Sequence, residues 1–455
     1  MERLRKTNFL TCRFLKQTDL KILILGSGGR EHAITWKLSQ SSEDPALYIA
    51  PGNAGTLELG ENVDLDPNDF KAVKEFCLKK QIDMVIVGPE EPLVKGIYDF
   101  FKNDSSLQHI IITGPSAHGA QLEGSKAFAK SFMKRHHIPT AAYREFDVTK
   151  YEEGLEYISR HPMPVVLKAD GLAAGKGVVI CENAEDAARE FSAMLKDEKF
   201  GQAGKKVVIE QFLKGIELSV FVATDGRHYV LLPEAKDYKK IGEGDTGLNT
   251  GGMGAVSPVP FATNHFMQKV VSRIIEPTID GLQKEEIDYR GFIFFGLINV
   301  DEDPYVIEYN CRLGDPETEV ILLRLENDLI DIIRAMHNGT MDKVQTEFSQ
   351  NNVVTVMAVS GGYPQKYQKG FPVEFRYLKN HEEIKHLTKK GGVIVFHAAT
   401  KPDQGKVVTN GGRVLTVSAS STSLPESLEI AEEILRQIHF EGMYYRGDIG
   451  NEFVK

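Results

Sequence analysis

Short apolar runs alternate with longer amphipathic stretches through the first third of the chain. Strands that alternate with helices and are apolar throughout are typical of a parallel sheet covered on both faces. Each predicted strand ends in glycine or proline, at the edge where open α/β sheets bind ligands. We therefore predict an N-terminal α/β domain over residues 20–143. Its predicted strands are 21–25, 48–50, 84–87 and 109–113, and its predicted helices begin at 33 and span 70–80.

A second pattern predicts a small lid over residues 144–213. β-branched runs at 165–166 and 178–180 flank a glycine-rich stretch, which indicates a strand, a flexible loop and a second strand. An amphipathic helix is predicted over 184–195. The small size of this unit suggests a part that covers a ligand.

The remaining chain divides into a central unit, 214–348, and a β-rich C-terminal unit, 349–455. Apolar runs at 292–300 and 305–308 are separated by Asp-Glu-Asp-Pro, which predicts an antiparallel hairpin. Residues 1–19 are basic but lack the apolar segment of a signal peptide, so we expect a disordered extension.

Composition excludes several classes of function. The 455 residues carry a net charge of −10, which argues against a general nucleic-acid binder. The four cysteines form no C-x-x-C pair, so neither a zinc site nor a disulfide framework is indicated, and a reducing, cytoplasmic compartment fits. No apolar run reaches the ~20 residues that span a bilayer.

The glycine-rich loop between the lid strands predicts a polyphosphate site. Gly171, Gly175 and Gly177 allow backbone N–H groups to approach an anion, and Lys168 and Lys176 add positive charge. The loop is not a Walker A motif, because its glycine spacing is one residue too short and a strand follows instead of a helix.

Other residues of the chain could complete a nucleotide site. Lys126 begins an amphipathic helix and, paired with the hairpin lysine, becomes a phosphate contact; alone it would be a solvated charge. Glu210 could accept a hydrogen bond from an adenine amino group, and main-chain groups near Phe212 and Leu213 could meet the purine edge. Glu217 could hold ribose hydroxyls. Each carboxylate alone would be only a surface charge.

The turn after the first strand resembles a dinucleotide fingerprint only in part. Glu31 stands where the third glycine belongs, and the second strand lacks the acidic residue that would hold a ribose, which disfavours a nicotinamide site. Gly28 and Gly29 still offer N–H groups to an anion at a helix N-terminus. The neighbouring Arg30 favours a phosphate-bearing substrate over the alternative, a tight turn without a ligand.

Strand alternation places Glu308 and Asn310 on one face, where two hard oxygen ligands suit Mg²⁺ or Mn²⁺. Arg312 follows at once and can clamp a carboxylate or a transferred phosphoryl group. The alternative for Arg312 and Asp315 is a salt bridge within the turn.

Taken together, these motifs resemble the ATP-grasp ligases and, within them, the phosphoribosylamine–glycine ligase family. The resemblance runs in order from residue 21 to about 320. The motifs that carry it are GSGGREHA (26–33), PGNAGT (51–56), VGPE (87–90), LEGSKAFAK (122–130), LKADGLAAGKGVV (167–179), GDTGLNTGGMGAVSP (244–258) and RLGDPE (312–317).

The chain departs from the family pattern at two places. Where the family commonly reads AQDHKR, this chain reads AKDYKK, so Lys236 and Tyr238 are changed while Asp237 and Lys239 are kept. Many ATP-grasp enzymes also have an acidic metal ligand on the preceding strand, and residues 292–297 contain none.

The resemblance implies a multidomain ATP-grasp fold: a Rossmann-like N-terminal domain, a lid, a central ATP-grasp domain and a small β-rich C-terminal domain. It also implies an enzyme of purine biosynthesis that joins glycine to 5-phosphoribosylamine with ATP, through glycyl phosphate. The implied catalytic residues are Lys168, Arg312 and Asp315. The implied ATP contacts are Lys126, Lys168, Gly171, Gly175, Lys176, Gly177, Glu210, Phe212, Leu213 and Glu217. The implied substrate contacts are Gly28, Gly29, Arg30, Glu31, Asn53, Asp237, Asn249, Gly251, Gly252 and Asp315, and the implied metal ligands are Glu308 and Asn310.

The implied cofactors are ATP and Mg²⁺ or Mn²⁺, and the implied partners are small molecules, with transient contact to the enzyme that supplies the labile amine. Neither a nucleic acid nor a membrane is expected as a partner. Three alternatives differ in class or substrate: another ATP-grasp ligase, a nicotinamide oxidoreductase, and a nucleotide-binding regulator without turnover.

Overall fold

The computed structural model describes residues 20–172, 177–197, 204–375 and 392–454. The predicted extension, residues 1–19, and the predicted phosphate contacts Gly175 and Lys176 lie outside the described residues. No helix within the described ranges is both long and apolar enough to cross a membrane.

The N-terminal unit is built on a parallel sheet, as predicted. Its strands are β1 (Lys21–Gly26), β2 (Ala46–Pro51), β3 (Glu61–Asn62), β4 (Met84–Val87) and β5 (Ile111–Ile112), and its helices are α1 (Gly29–Leu38), α2 (Phe70–Lys80), α3 (Glu90–Val94) and α4 (Ile97–Asn103). The strand order is β3-β2-β1-β4-β5, with every pair parallel. Alternate residues of β1 enter two separate apolar cores, so both faces of the sheet are buried.

Two predicted boundaries in this unit were wrong. The last strand comprises only Ile111 and Ile112 and not 109–113. Helix α1 begins at Gly29 and not at Ala33, because the Glu31 side chain accepts a hydrogen bond from the Gly28 N–H and caps the first turn.

The lid unit is an antiparallel sheet covered by two helices. A connection through β6 (Gly114–Pro115), α5 (Gln121–Gly124) and α6 (Lys126–Arg135) leads to β7 (Tyr143–Asp147), α7 (Tyr151–Arg160), β8 (Val165–Ala169), β9 (Val178–Cys181), α8 (Ala184–Leu195) and β10 (Lys206–Gln211). The order is β7-β10-β8-β9, and the antiparallel pairing of β8 with β9 confirms the predicted hairpin. Phe146 and Phe191 pack at the centre of the lid core.

The central unit contains a second antiparallel sheet together with strands of other sheets. The strands of this unit are β11 (Ile216–Thr224), β12 (Tyr229–Leu231), β13 (Lys236–Asp237), β14 (Lys240–Gly242), β15 (Thr246–Asn249), β16 (Gly254–Ser257), β17 (Tyr289–Val300) and β18 (Asp303–Asn310); its helices are α9 (Asn264–Val270), α10 (Glu276–Lys284), α11 (Thr318–Arg324) and α12 (Leu329–Asn338). The second antiparallel sheet has the order β12-β11-β17-β18, and β17 and β18 form the predicted hairpin. Strand β6 also pairs with β17, which fastens the N-terminal unit to this sheet.

The C-terminal strands share a sheet with the central segment. Strands β19 (Asn352–Val359), β20 (Glu374–Phe375), β21 (Val393–His397), β22 (Thr400–Asp403), β23 (Lys406–Thr409), β24 (Arg413–Ser421) and β25 (Ile438–His439) accompany helix α13 (Leu424–Gln437). The order β13-β16-β19-β24-β21 joins two strands from before residue 349 to three after it. The hairpin β14–β15, which lies between β13 and β16 in the chain, is thereby fixed to the C-terminal unit.

A buried histidine pair connects the first and last units. His32 on α1 accepts a hydrogen bond at Nδ1 from the backbone N–H of His397 on β21, at 2.8 Å. Burial lowers the pKa of His32 to about 3, with a further contribution from His397, and burial lowers the pKa of His397 to about 4. Both rings are therefore neutral in the folded protein at neutral pH.

We expect this pair to make folding sensitive to acid. Between pH 6.5 and about 4 the unfolded chain binds protons that the folded rings do not. The contribution of the pair to the free energy of unfolding is therefore complete above pH 6.5. It decreases as the pH is lowered below 6.5, by ~1.4 kcal/mol per pH unit for each histidine. Urea denaturation from pH 7 to pH 4 measures this slope. The His32→Gln variant should have a smaller slope, and the exposed control His265→Gln should keep it; equal slopes in all three proteins would contradict the assignment.

Candidate active site

Lys168 and Glu210 lie on neighbouring strands of the lid and are both almost fully buried, at 5% and 3% exposure. The Lys168 Nζ is 3.0 Å from Glu210 Oε2 and donates a hydrogen bond to the Ile307 carbonyl at 3.1 Å. Ile307 belongs to β18, so this lysine joins the lid to the central sheet. A buried lysine with one carboxylate and one carbonyl partner is suited to hold an anion between the two units.

Lys126 lies at the start of α6, next to the hairpin loop. Its Nζ donates to the Gly171 carbonyl at 3.0 Å. The helix start is fixed by Asp170, whose Oδ1 accepts from the Ala127 N–H at 2.7 Å and from the Ser125 hydroxyl at 3.0 Å. No sequence pattern had singled out Asp170. Lys126 therefore lies beside Gly171 of the glycine-rich loop, and its predicted contact with phosphate remains a prediction.

Glu308 is surrounded by positive charge. Burial acts to raise its pKa, but Lys239, Lys168 and Lys126 together with Arg312 outweigh burial and hold the pKa below its ordinary value. Glu308 is therefore ionised at neutral pH. The arrangement gathers three lysines, from α6, from β8 and from the connection between β13 and β14, around one carboxylate on β18.

The predicted metal ligands fit a hard divalent cation by their chemistry. Glu308 and Asn310 are both partly exposed, while Tyr309 between them is buried in the core, so the two ligands share a face of β18. Carboxylate and amide oxygens suit Mg²⁺ or Mn²⁺. Within the described residues, no group of three or more His, Cys, Asp or Glu is arranged to hold a metal. The prediction remains that Glu308 and Asn310 are the two protein ligands and that phosphate and water complete the coordination of the metal.

Lys239 carries the third positive charge. Its Nζ is 2.8 Å from Glu217 Oε2. Burial alone would lower its pKa, but Asp237, Glu217 and Glu308 raise the pKa well above its ordinary value. Glu217, predicted to hold a ribose, is thus paired with a lysine that had been noted only as a retained family residue.

Arg312 does not form the alternative salt bridge with Asp315. Its Nη2 is 2.9 Å from Glu123 Oε1, and its Nε is 3.3 Å from Glu90 Oε2. Burial raises the pKa of Glu123 to about 7, although Arg312 opposes the shift. Glu90 and Glu123 were not predicted, and their only sequence signal was membership of the VGPE and LEGSK motifs.

Asp315 is held from the C-terminal unit instead. Arg413 places Nη2 3.0 Å from Asp315 Oδ1 and donates from Nη1 to the Asp315 carbonyl at 2.8 Å. The same Nη1 donates to the Gly251 carbonyl at 2.6 Å. Gly252 has φ +115°, and a Cβ there would overlap Pro316. The predicted substrate glycines and Asp315 therefore lie together, with Arg413 as an unpredicted partner; Asn249 lies nearby in sequence, on β15 opposite Lys240.

At the N-terminal turn, Arg30, Glu31 and Asn53 bond to groups within the protein, and their predicted contacts with the substrates remain predictions. Glu31 accepts from the Gly28 N–H at 2.6 Å and pairs with the Arg30 Nε at 2.7 Å. The Arg30 Nη1 donates to the Leu313 carbonyl at 3.1 Å. Arg30 and Glu31 thus compensate each other's charge, and Glu31 caps the first turn of α1.

The Asn53 amide is also used within the protein. Its Nδ2 donates to the Ser27 and His397 carbonyls at 2.9 and 2.8 Å, and its Oδ1 accepts from the N–H groups of Gly55 and Thr56. Asn53 therefore holds the turn against the C-terminal unit. At Gly29, in the same turn, a Cβ atom would overlap the carboxylate of Glu319, so this position has no room for a side chain.

Lys236 and Tyr238, the two residues that depart from the family pattern, contact Glu452 near the C-terminus. The Lys236 Nζ is 2.9 Å from Glu452 Oε1, and the Tyr238 hydroxyl donates to the same oxygen at 2.7 Å. Arg446, nearly fully buried, pairs with Asp245 at 2.8 Å and with Asp448 at 2.7 Å. The C-terminal segment thus contacts the residues on both sides of Lys239, which lies in the connection between β13 and β14.

The predicted adenine contacts Phe212 and Leu213 lie in the segment between β10 and β11. They line an open cleft of ≈ 670 Å³ together with Ile216, facing Asn299 and Asp301 near the β17–β18 turn. On the lid side, Gly177 accepts a hydrogen bond at its carbonyl from the Ala169 N–H at 2.8 Å. The cleft therefore lies at the junction of the lid with the central sheet.

The chain is similar to one family of known proteins over nearly its whole length. Models of the phosphoribosylglycinamide synthetase family match its N domain to residues 20–123, its ATP-grasp (A) domain to 124–318 and its C domain to 353–452. A phosphoribosylamine–glycine ligase of Vibrio parahaemolyticus is 44% identical over 434 residues, which cover 95% of this chain and 98% of the relative.

The chain belongs to the phosphoribosylamine–glycine ligase family.

A phosphoribosylamine–glycine ligase of Escherichia coli K12 is 43% identical over 435 residues, 95% of this chain and 98% of the relative. The crystal structure of a phosphoribosylamine–glycine ligase from Thermotoga maritima superposes with a TM-score of 0.80 at 34% identity, and covers 94% of this chain and 100% of that one. The predicted multidomain ATP-grasp fold is confirmed. Membership of a phosphoribosylamine–glycine ligase family also explains why the lysines converge on one carboxylate, since ATP-grasp ligases bind a triphosphate.

Proposed function

We propose that this chain catalyses the reaction for which its family is named: ATP, glycine and 5-phosphoribosylamine give glycinamide ribonucleotide, ADP and phosphate. The observation that carries the proposal is the convergence of Lys126, Lys168 and Lys239 around Glu308. Three cations beside one ionised carboxylate are suited to a polyphosphate with a divalent cation.

The chemistry explains why ATP is consumed. Oxide would have to leave from a free carboxylate, so the carboxylate of glycine first takes the γ-phosphoryl group and becomes glycyl phosphate. The amine nitrogen of phosphoribosylamine then attacks the carbonyl carbon, a C–N bond forms, the C–O bond to phosphate breaks, and the nitrogen loses a proton. The protein's contribution is positioning and electrostatic stabilisation of the transferring phosphoryl group.

We assign the nucleotide to the cleft between lid and central sheet. Lys126 and Lys168 would hold the phosphates, and the backbone of Gly171 and Gly177 would line them. The Glu210 Oε1 is buried without a hydrogen-bond partner within the described residues, which supports its role as an acceptor for the adenine amino group. The remaining proposed ATP contacts are Phe212, Leu213, Glu217 and, outside the described residues, Gly175 and Lys176.

We assign the other substrates to the side of the site bordered by Arg413. Asp237 and Asp315 are carboxylates that could bind amine groups, and Arg312 would stabilise the transferred phosphoryl group from its position beside Glu123. Backbone groups of Gly28, Gly29, Asn249, Gly251 and Gly252 would receive glycine and the ribose phosphate.

Glu308 and Asn310 would hold the divalent cation, for which we propose Mg²⁺ or Mn²⁺. When bound, the ion would neutralise phosphate charge and orient the triphosphate. The ionised state of Glu308, maintained by the lysines around it, is the protein's contribution to this site.

A coupled assay of ADP release tests the proposed function. ADP should form only when glycine and phosphoribosylamine are both present, and other amino acids or amines should not replace them. With glycine labelled by ¹⁸O in its carboxylate, one labelled oxygen should appear in the released phosphate. Turnover with a different acid, or unlabelled phosphate, would contradict the proposal.

A cytoplasmic location and transient contact with the enzyme that supplies the amine are further proposals. The described cysteines Cys77, Cys181 and Cys311 are buried free thiols, which supports a reducing compartment.

A further inference from the structure

Lys130 is the last residue of the LEGSKAFAK motif, but none of the roles assigned above is its own. It lies on α6, one helical turn after Lys126, so both side chains lie on the same side of the helix. Its side chain is only 2% exposed. Burial lowers the pKa of Lys130 to about 8, although Glu210 opposes the shift, so the ammonium group is charged at neutral pH. A charge buried this deeply must be compensated by specific partners.

The partners of Lys130 connect the three elements of the nucleotide site. Its Nζ is 3.0 Å from Glu210 Oε2 on the lid strand β10 and donates to the Thr140 hydroxyl at 2.7 Å. That hydroxyl donates in turn to the Val306 carbonyl on β18 at 2.7 Å. Lys130 therefore lies where the helix that carries Lys126, the lid, and the strand that carries the proposed metal ligand meet.

One carboxylate oxygen serves two lysines. Glu210 Oε2 is 3.0 Å from Lys130 and 3.0 Å from Lys168, whereas Oε1 has no hydrogen-bond partner among the described residues. The group of three carries two positive charges and one negative charge. With Lys130 replaced by a neutral residue, Lys168 would be the one cation still paired with Glu210 among the residues that the structure describes.

We propose that Lys130 is a positioning residue that compensates Glu210 and thereby leaves Lys168 available to the phosphates of the nucleotide. The inference rests on the proposed use of ATP. An incoming triphosphate must compete with Glu210 for the Lys168 ammonium group. Lys130 weakens this competition, because it keeps the carboxylate paired when Lys168 turns towards phosphate.

The test is the affinity for nucleotides, measured by titration calorimetry without turnover. Lys130→Met keeps the length and apolar stem of the side chain but removes its charge. We expect it to weaken ATP and ADP binding by ~10-fold or more, while adenosine binds with unchanged affinity. The KM for glycine should stay within about twofold of the original value. Lys134→Met, at an exposed position of the same helix, is the matched control and should bind ATP normally.

A double variant separates charge compensation from a general structural defect. In Lys130→Met/Glu210→Gln no carboxylate remains to hold Lys168, so phosphate-dependent affinity, taken as the ratio of ADP to adenosine binding, should recover towards that of Glu210→Gln alone. Additive losses in the double variant would overturn the inference, as would equal weakening of adenosine and ADP. Failure of the unmodified protein to bind ATP would instead overturn the proposed function, so the two failures are distinguishable.

Discussion

Replacing Lys168 with methionine is expected to lower kcat/KM for ATP by ~100-fold or more, which corresponds to ~3 kcal/mol of transition-state stabilisation. The Lys168 ammonium group joins the lid to the β18 carbonyl of Ile307 and lies beside an ionised Glu308, where phosphate charge would collect. The variant should fold, since Lys130 still compensates Glu210 at 3.0 Å.

Steady-state ADP release measures this effect, with ATP varied at saturating glycine and phosphoribosylamine. The control is Lys206→Met, because Lys206 lies on the neighbouring strand and, in the described part of the chain, its charge pairs with Glu145 at 3.5 Å, near the surface. The control should retain normal kinetics. If Lys168→Met also turned over normally, this lysine would have no part in phosphoryl transfer.

The second large effect is expected for Glu308→Gln. Glutamine keeps the size and one carbonyl oxygen but removes the negative charge that faces Lys239, Lys168 and Lys126. We expect the metal concentration for half-maximal activity to rise by ~10-fold or more and kcat to fall by ~100-fold, since a neutral amide is a weaker ligand for a hard cation.

Titration of activity with Mg²⁺ and with Mn²⁺ measures the shift, and Mn²⁺ binding in the presence of ATP, followed by electron paramagnetic resonance, provides a readout that does not need turnover. Glu302→Gln, in the exposed β17–β18 turn, is the control. An unchanged metal titration curve for Glu308→Gln would remove this residue from the metal site.

The sequence predicted the local elements well where one pattern dominated. Helix α8 has the predicted bounds, and the hairpins β8–β9 and β17–β18 form as expected, because β-branched or apolar runs are interrupted by residues that favour turns. It predicted the boundary of α1 poorly. The Glu31 side chain caps that helix from within the glycine-rich turn, and the effect depends on a side-chain conformation that spacing does not reveal.

The sequence also predicted some contacts of the candidate site and missed others. Lys126 and Lys168 were predicted to act together, and the structure brings both close to the loop and to Glu308. For Arg312, the sequence offered a partner three residues away, but the structure pairs it with Glu123, nearly two hundred positions earlier in the chain. The amide of Asn53, a predicted substrate contact, also holds the turn to the C-terminal unit through the His397 carbonyl, a partner that no local pattern reveals.

The sequence by itself determined the order of strands and helices, the glycine-rich loop, and the residue types that can hold a triphosphate and a hard cation, because these depend on neighbours within a few positions. Only the tertiary structure decided which charges compensate one another: Lys130 with Glu210, Arg413 with Asp315, and Arg446 with Asp245. A buried charge must find a partner wherever the fold places one, and that partner can come from any distance along the chain.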